Sequence, residues 1–321
     1  MLKYAGRRVL ASIPVLLLAT VLIFVLVREF GADPARVRCQ QSRDPTCRER
    51  TTELLGLDRS LPEQYVTFMG DFFQGDWGES QRSDRSVSES IRDNLWETTQ
   101  LIFWGVLLSV GVAVAVGVYS ARKPYSAGDS TFTALSFAGI AMPTFWFGLL
   151  LIQYLTFELQ QALGTAEPIF YSIPNPAGSG PVAYARELAL PVIVLSVQLV
   201  AGWSRYQRSS MLEELHSDYI RTGRAKGLSE RRVVWKHGLR NSVGPLVTIV
   251  ALDFGALFGG LIITERVFSR DGMGSLLLGA LNNGDTQIIL PWMLVTGALI
   301  ILFNLFADVL YGVLDPRVRA A

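Results

Sequence analysis

Residue types that carry catalysis or ligand binding are scarce in this chain of 321 residues. Its two histidines, His216 and His237, lie 21 positions apart and form no metal-ligand pattern. Its two cysteines, Cys39 and Cys47, are too few for a zinc or iron–sulfur site. No G-x-x-x-x-G-K-[ST] phosphate loop occurs in the sequence. These patterns predict a chain that is not an enzyme and binds no metal, nucleotide or other cofactor of its own.

A basic, polar segment at 205–240 offers chemistry of another kind, namely contact with a second protein. Ser217 or Asp218 can cap a short helix there, and Gly227 supplies a stop at its C-terminus. Small residues such as Gly223 leave part of that helix nearly bare, so another backbone can approach it closely. Neighbouring arginines can pair with carboxylates. The residues alone leave open whether this is a docking surface or a basic loop that follows the positive-inside rule.

Long apolar stretches must position this segment, because 50% of the residues are hydrophobic and only 18% are charged. A helix of about 20 apolar residues crosses a hydrocarbon core of ~30 Å. Six stretches meet this criterion, the fifth of them interrupted only by Asp253: 9–27, 98–121, 130–157, 188–204, 241–264 and 286–307. The sequence therefore predicts six transmembrane helices. The net charge of +1 argues against a nucleic-acid-binding protein.

The distribution of lysine and arginine predicts the orientation in the membrane. Basic residues are frequent near both termini, at 122–123 and through 205–240, and rare in the other short connections. The positive-inside rule then places the N- and C-termini in the cytoplasm. It also places 28–97 outside, where Cys39 and Cys47 meet an oxidising compartment. A disulfide between them is the favoured prediction, and two unpaired thiols are the alternative.

Asp253 is the single charge within its apolar stretch. It follows Pro245 by eight positions, or about 12 Å along a helix, which places it near the middle of the bilayer. A carboxylate there costs roughly 2.5–3.5 kcal/mol, so it must face the bundle interior or a water-filled path. Two roles stay open: a residue on a water-filled path, where it can meet an ammonium group, or a structural role as a polar clasp between helices or as a protonated acid.

Several glycines, prolines and acidic residues in or near the spans are assigned to structure. Gly255 and Gly259 form a G-x-x-x-G pair that permits close helix approach, within the chain or against a second membrane subunit. Pro143 is one of several prolines expected to kink a span. Glu265 and Asp308 are expected at the ends of spans, close to water.

The segment 218–233, DYIRTGRAKGLSERRV, followed by HGLRNS at 237–242, resembles the signature loop of the B-type permease subunits of oligopeptide and dipeptide ABC importers. The similarity continues in GLDRSLP at 56–62 and GDWG at 75–78, and further on in Gly272-Met273-Gly274 and in DPR at 315–317. Each fragment alone is weak evidence for the family. Together the fragments cover nearly the whole chain, and their order and spacing make the resemblance specific.

This resemblance implies an all-α integral membrane protein with the fold of a type I ABC importer permease. It implies an N-terminal transmembrane helix (1–27), an extracytoplasmic subdomain (28–97), a permease core of five transmembrane helices (98–314) and a cytoplasmic tail (315–321). It also implies a coupling helix that contacts an ATPase subunit. The residues of this coupling segment (219–228) are Tyr219, Ile220, Arg221, Thr222, Gly223, Arg224, Ala225, Lys226, Gly227 and Leu228. Gly223 is a departure, because relatives commonly carry alanine there, and glycine weakens a helix interior by about 1 kcal/mol.

The resemblance further implies the function and the partners. The chain would form half of a translocation pathway for oligopeptides or dipeptides in the plasma (inner) membrane, although related importers carry nickel chelates, glutathione or opines. Its partners would be a second homologous permease, ABC ATPase subunits that bind ATP and Mg, an extracytoplasmic peptide-binding protein and membrane lipid. A secondary, ion-coupled transporter is the alternative, but no clear repeat relates the two halves of the sequence.

Overall fold

The computed structural model describes residues 2–40, 42–81, 83, 85–174 and 180–314, and this part of the chain is almost entirely helical. Its one β-type pairing among the described residues is an isolated bridge between Glu79 and Ser86. The elements are α1 (Leu2–Phe30), α2 (Pro34–Arg38), α3 (Cys47–Leu54), α4 (Leu61–Gln74), α5 (Val87–Arg122), α6 (Ala127–Ala141), α7 (Thr144–Leu151), a π-helix (Ile152–Glu158), α8 (Leu159–Leu163), α9 (Pro181–Leu215), α10 (Asp218–Ala225), α11 (Glu230–Arg232), a second π-helix (Val233–Gly238), α12 (Leu239–Gly260), α13 (Ile262–Val267), α14 (Met273–Asn283) and α15 (Thr286–Leu314).

Five helical segments are long and apolar enough to cross a membrane: Val9–Phe30, Val87–Arg122, Pro181–Leu215, Glu230–Gly259 and Thr286–Leu310. The remaining predicted span, 130–157, is broken rather than straight. Ala127–Ala141 and Thr144–Leu163 meet at an angle of 105° and count as a sixth span if taken together. Pro143 precedes α7 at the break, where it has no N–H to continue the helical ladder. The sequence predicted a kink here, but not so large a bend.

The bundle core lies where α5, α9, α12 and α15 pack against one another. Leu101, Leu195 and Phe258 form part of one buried cluster that joins α5, α9 and α12. Close approach of α5 to α9 depends on Gly117, where an added Cβ would lie 2.7 Å from Gln207. Gly255 packs against α15, since its Cβ would lie 3.0 Å from the Phe303 Cβ. The described contact of the G-x-x-x-G motif is therefore within the chain.

Helices α2, α3 and α4 form a small subdomain at one end of the bundle, which we call the distal end. Phe24 of α1 packs edge-on against Tyr65 of α4 with ring centroids 5.4 Å apart, and Thr20 hydrogen-bonds the Tyr65 hydroxyl at 2.7 Å. Cys39 and Cys47 are paired as a disulfide in the structure, with Cα atoms 5.9 Å apart. The disulfide thus links two parts of the subdomain, and the contacts of Tyr65 attach the subdomain to the first span.

Several helices extend beyond the limits that hydrophobicity predicts. Helix α1 continues to Phe30 and α5 already begins at Val87, so both cross the predicted borders of the 28–97 subdomain. Helix α9 runs on to Leu215, and the helix entering the fifth span begins at Glu230. Hydrophobicity marks the part of a helix that lies in lipid, whereas polar residues continue the same helix into water. The predicted tail, 315–321, lies outside the described residues.

Candidate functional site

The coupling segment folds as two turns of helix that end at a glycine. Helix α10 begins after Ser217 and covers Asp218–Ala225, with Lys226 as its C-cap. Gly227 has φ +79°, a left-handed conformation that favours glycine. Its N–H donates to the Arg224 carbonyl at 2.9 Å, and the Leu228 N–H donates to the Gly223 carbonyl at 3.2 Å. This pattern is a Schellman-type helix stop, at the glycine where the sequence predicts it.

The N-terminal cap differs from the prediction. Ser217 occupies the cap position with extended backbone, but its side chain makes no capping hydrogen bond. Its hydroxyl instead donates to the Glu214 carbonyl at 2.6 Å, at the end of α9. The backbone geometry therefore starts the helix, while the serine side chain ties the turn to the preceding span.

Two residues fasten α10 to the bundle. Ile220 is its buried residue, with 2% of its surface exposed. The Tyr219 hydroxyl donates to the Glu214 carboxylate and accepts from the Asn241 amide at 2.8 Å, so it joins α10 to α9 and α12. Burial, together with the neighbouring Glu214 carboxylate, raises the pKa of Tyr219 above its ordinary value. A phenol that stays neutral keeps its donor hydrogen for this contact.

Arg224 holds the segment to the helix that follows it. Its guanidinium donates to both carboxylate oxygens of Glu230, at 2.9 and 3.1 Å, and a third nitrogen lies 3.4 Å from the Leu215 carbonyl. The hydrogen bonds to Glu230 raise the pKa of Arg224 above its ordinary value. A bidentate arginine–carboxylate pair fixes orientation as well as distance. The segment is thus fixed at both of its ends.

The opposite face of α10 is left exposed. Arg221 makes an ion pair with Asp218 at 3.6 Å, but 69% of the Arg221 side chain and 99% of the Asp218 side chain remain exposed. The exposed residues of the segment besides Tyr219 and Arg224 are Arg221, Thr222, Ala225, Lys226 and Gly227. We call these five residues the docking face. It combines two cations with a patch of small side chains, which suits close contact with an acidic surface.

A partly buried ion pair links α9, the span that leads into α10, to α6. Arg208 of α9 donates two hydrogen bonds to Asp129 of α6, each at 2.7 Å, and only 4% of the Asp129 side chain is exposed. Asp129 also accepts from the Tyr125 N–H at 2.8 Å. Because the Asp129 carboxylate is buried, this pair is costly to break, and α6 and α9 are held in fixed register beside the coupling segment.

Asp253 contacts another helix within the chain. The indole N–H of Trp203 on α9 donates to the Asp253 carboxylate on α12 at 2.7 Å, and Trp203 is 2% exposed. This contact supplies the clasp between helices, which is one of the two roles that the sequence leaves open. A role of Asp253 in the translocation pathway stays a prediction.

A second polar site at the distal end is not foreseen from the sequence. Glu265 is fully buried, and its two oxygens accept from the Thr98 hydroxyl at 2.7 Å and from the Ser275 N–H at 2.9 Å. An added Cβ at Gly272 would lie 2.2 Å from a Glu265 oxygen, so only glycine leaves room for the carboxylate. Burial raises the pKa of Glu265 above its ordinary value.

Arg270 completes this distal site. It is 4% exposed and pairs with Glu97 of α5 and with Glu187 of α9, the latter at 2.8 Å. The backbone N–H of Arg270 also donates to the backbone carbonyl of Glu265 at 2.8 Å. We call Glu97, Thr98, Glu187, Glu265 and Arg270 the distal cluster. It joins three parts of the chain that are far apart in sequence.

The expectation that Glu265 lies close to water is wrong. Helix α12 ends at Gly260, and α13 begins again at Ile262, so the chain turns over the bundle instead of running out of it. The signal that points to this region is Gly272-Met273-Gly274, a fragment of the resemblance that carried no assigned role. The contact of Gly272 with the carboxylate explains why a glycine is needed there.

Fold and site together define a membrane-spanning subunit that presents a short helix with an exposed, basic face at one end. The chain belongs to the family of binding-protein-dependent transport system inner membrane components, whose model matches residues 113–320. The model for the N-terminal part of such membrane components matches residues 1–101.

Relatives of the same length support this assignment. Oligopeptide transport system permease protein AppB of Bacillus subtilis is 37% identical over 327 residues, which cover 99% of this chain and 100% of the relative. Glutathione transport system permease protein GsiC of Salmonella typhimurium is 35% identical over 326 residues, 99% of each chain. Di/tripeptide transport system permease protein DppB of Pseudomonas aeruginosa is 35% identical over 333 residues, also 99% of each chain.

These comparisons confirm the resemblance read from the sequence. The chain is a non-catalytic permease component of the inner membrane, with the all-helical fold expected of such a subunit. They give no support to a secondary transporter.

Proposed function

We propose that this chain forms half of the translocation pathway of an ATP-driven importer of oligopeptides or dipeptides. The names of its full-length relatives support a peptide cargo, and glutathione, the cargo named for one of them, is itself a peptide derivative. The observation that carries the mechanism is the docking face. It is exposed, basic and fixed from behind by Ile220, Tyr219 and Arg224.

The coupling segment would contact an ABC ATPase subunit, which binds ATP and Mg and hydrolyses the nucleotide. Because Tyr219 and Arg224 connect α10 to α9, α11 and α12, movement of α10 would be transmitted to two spans. The other partners would be a second homologous permease, an extracytoplasmic peptide-binding protein and the surrounding lipid. The decisive experiment purifies the chain with these subunits and measures ATP hydrolysis. We expect peptide-loaded binding protein to stimulate it, and an ion gradient alone to drive no uptake.

We also propose the orientation that the basic residues predict, with both termini and the coupling segment in the cytoplasm. The subdomain at 28–97 would then lie outside, the permease core would cover 98–314, and 315–321 would form a cytoplasmic tail. Single cysteines introduced at Lys226 and Asp58 of a Cys39→Ser, Cys47→Ser chain test this in intact cells. A membrane-impermeant thiol reagent should label position 58 but not position 226. An exterior location would allow Cys39 and Cys47 to form this disulfide in the cell, which mass analysis under non-reducing conditions tests.

Asp253 is proposed as a residue of the translocation pathway, although its contact with Trp203 offers a structural role. The two roles differ in what Asp253→Asn does to transport. If the carboxylate meets the ammonium group of a peptide, uptake of free peptides should fall while uptake of N-acetylated peptides changes little. Equal losses for both cargoes would leave only the clasp with Trp203.

A further inference from the structure

A cavity of about 300 Å³ lies at the distal end, where α1, the small subdomain and α15 meet. Arg28 of α1 and Gln287 of α15 form part of its wall. The rest comes mainly from the segments 54–59 and 76–78 and from one face of α4. Two of the fragments that carry the family resemblance, 56–62 and 75–78, therefore meet at one place. The coupling mechanism uses neither of them.

Arg28 is one of two cations in this wall, the other being Arg59, and it forms no ion pair with another described residue. The Nε and Nη1 of Arg28 are buried and have no hydrogen-bond partner. Its guanidinium lies over the Phe24 ring, 5.4 Å from the centroid. Burying a cation without a partner is costly, so this position favours an anionic ligand. A phosphate suits it because the guanidinium can donate two parallel hydrogen bonds.

The same cavity also carries negative charge. Asp71 and Asp76 line it, and neither forms an ion pair with another described residue. Asp76 accepts the Gly78 N–H at 3.1 Å, which fixes the direction of its carboxylate. Opposite charges that share a cavity without neutralising each other are complementary to a ligand that carries an anion and an ammonium group together.

The depth of Arg28 points to a lipid. The first span begins at Val9, and Arg28 lies 19 residues further on, about 28 Å at 1.5 Å per residue. This nearly equals the ~30 Å thickness of the hydrocarbon core, so Arg28 lies at the level of the lipid headgroups. Leu54 lines the cavity and is 82% exposed, and Phe30, two residues after Arg28 on α1, is also 82% exposed. Acyl chains would cover these apolar side chains, whereas a soluble zwitterion would leave them in water.

We propose that this cavity binds the headgroup of a zwitterionic phospholipid of the phosphatidylethanolamine type. Its phosphate lies against Arg28 and its ammonium group against Asp71 and Asp76. The lipid then joins the first span to the subdomain and to α15.

The test is native mass spectrometry of the full chain, released from vesicles of equal parts phosphatidylethanolamine and phosphatidylglycerol. The wild-type chain should retain phosphatidylethanolamine preferentially. Arg28→Gln should lower that retention about tenfold, since a charge-assisted hydrogen bond contributes roughly 1.5 kcal/mol. Arg7→Gln, an exposed arginine near the other end of the same helix, is the matched control and should retain lipid like the wild type.

Further variants separate the two charges of the headgroup. Asp71→Asn combined with Asp76→Asn should remove the preference for phosphatidylethanolamine over phosphatidylglycerol without removing bound lipid. Both aspartates are exposed, so these changes leave the packing intact. Arg28→Lys keeps the positive charge and should retain most of the lipid. If Arg28→Gln fails to fold, this variant still tests whether a cation at position 28 holds the headgroup.

Three results would overturn the proposal. Equal lipid retention by Arg28→Gln and Arg7→Gln would show that Arg28 holds no headgroup. Displacement of the lipid by inorganic phosphate would assign the site to a free anion. Displacement by a soluble dipeptide would assign it to the cargo.

Discussion

The two ends of this molecule use charge in opposite ways. In the coupling segment the Arg224–Glu230 pair is 41% and 54% exposed, so water screens it and it contributes little to stability. In the distal cluster Arg270 is 4% exposed and pairs with carboxylates from two other helices. The cations of the docking face, Arg221 and Lys226, are also exposed and can meet a partner protein, whereas Arg270 holds helices together. Substitutions at the coupling end should therefore change transport, and those at the distal end should change stability.

The largest effect on transport is expected from Gly227→Asp. The substitution puts a side chain in a left-handed position and adds a negative charge to the docking face. Peptide-stimulated ATP hydrolysis should be abolished, while the amount of chain in the membrane stays near that of the wild type. ATP hydrolysis is measured on the purified complex, and the amount of chain is measured in membrane fractions.

Gly164→Asp is the matched control, because Gly164 also ends a helix with positive φ, at +62°, and has no heavy atom within 4 Å of an added Cβ. It carries the same backbone strain, about 1–2 kcal/mol, away from the coupling segment. Normal activity in Gly164→Asp and lost activity in Gly227→Asp would assign the loss to docking. Normal transport in Gly227→Asp would contradict the role of the coupling segment.

The largest effect on stability is expected from Arg270→Gln. The substitution leaves Glu97 and Glu187, which are 37% and 22% exposed, close together with no cation between them. Because only Arg270 is buried, we expect a loss of about 1–3 kcal/mol, between the values for exposed and for buried pairs. Arg221→Gln is the control at the coupling end, where the pair with Asp218 is exposed and a change below about 0.5 kcal/mol is expected. Denaturant unfolding of both variants in detergent gives the comparison. Equal stabilities would mean that the distal cluster does not hold the helices.

These two regions also differ in how much the sequence reveals. The end of α10 follows from local signals, because a glycine after two helical turns predicts a left-handed stop wherever the rest of the chain lies. The burial of Glu265 depends on a turn at Leu261 and on Thr98, 167 positions away, which contributes the partner hydroxyl. Composition shows only that Glu265 follows an apolar stretch. Tertiary contacts decide whether such a residue faces water or the core.

The broken span shows the same limit. The apolar stretch 130–157 predicts a crossing of the membrane, and Pro143 predicts a kink in it. The angle of 105° is set by what the two halves pack against: α6 contacts α9 at Gly139, whereas Gly148 of α7 packs on Val267 of α13. Hydrophobicity therefore gives the number of apolar segments, but the path of each one depends on its neighbours.

A smaller effect, which depends on pH, is expected from Glu265. Burial raises its pKa in the folded chain above that of the unfolded chain, so the folded state binds the proton more tightly. The stability that this proton contributes is present at low pH and is lost as the pH rises from the ordinary glutamate value through the raised one. Wild-type stability should fall over that interval.

Glu265→Gln should remove this part of the pH dependence, since glutamine does not titrate. Unfolding is measured over a series of pH values for both chains. Parallel curves would show that another group is responsible.

The smallest effect is expected from Gly223→Ala, which tests whether the coupling helix must stay easily deformed. Alanine stabilises a helix interior by up to about 1 kcal/mol relative to glycine. The new Cβ would lie 3.3 Å from the end of the Leu228 side chain, which can move by a few tenths of an ångström. Amide hydrogen exchange in α10 should slow by at most about fivefold, and transport should stay near the wild-type rate.

Gly279→Ala is the matched change at the distal end, because it adds a Cβ to helix α14 with no heavy atom within 4 Å. It should slow exchange in α14 alone. If Gly223→Ala slows transport while Gly279→Ala does not, the ATPase needs the bare backbone at position 223 rather than a stable helix. The docking face would then extend to Gly223, and close backbone contact would outweigh the cations in recognition of the partner.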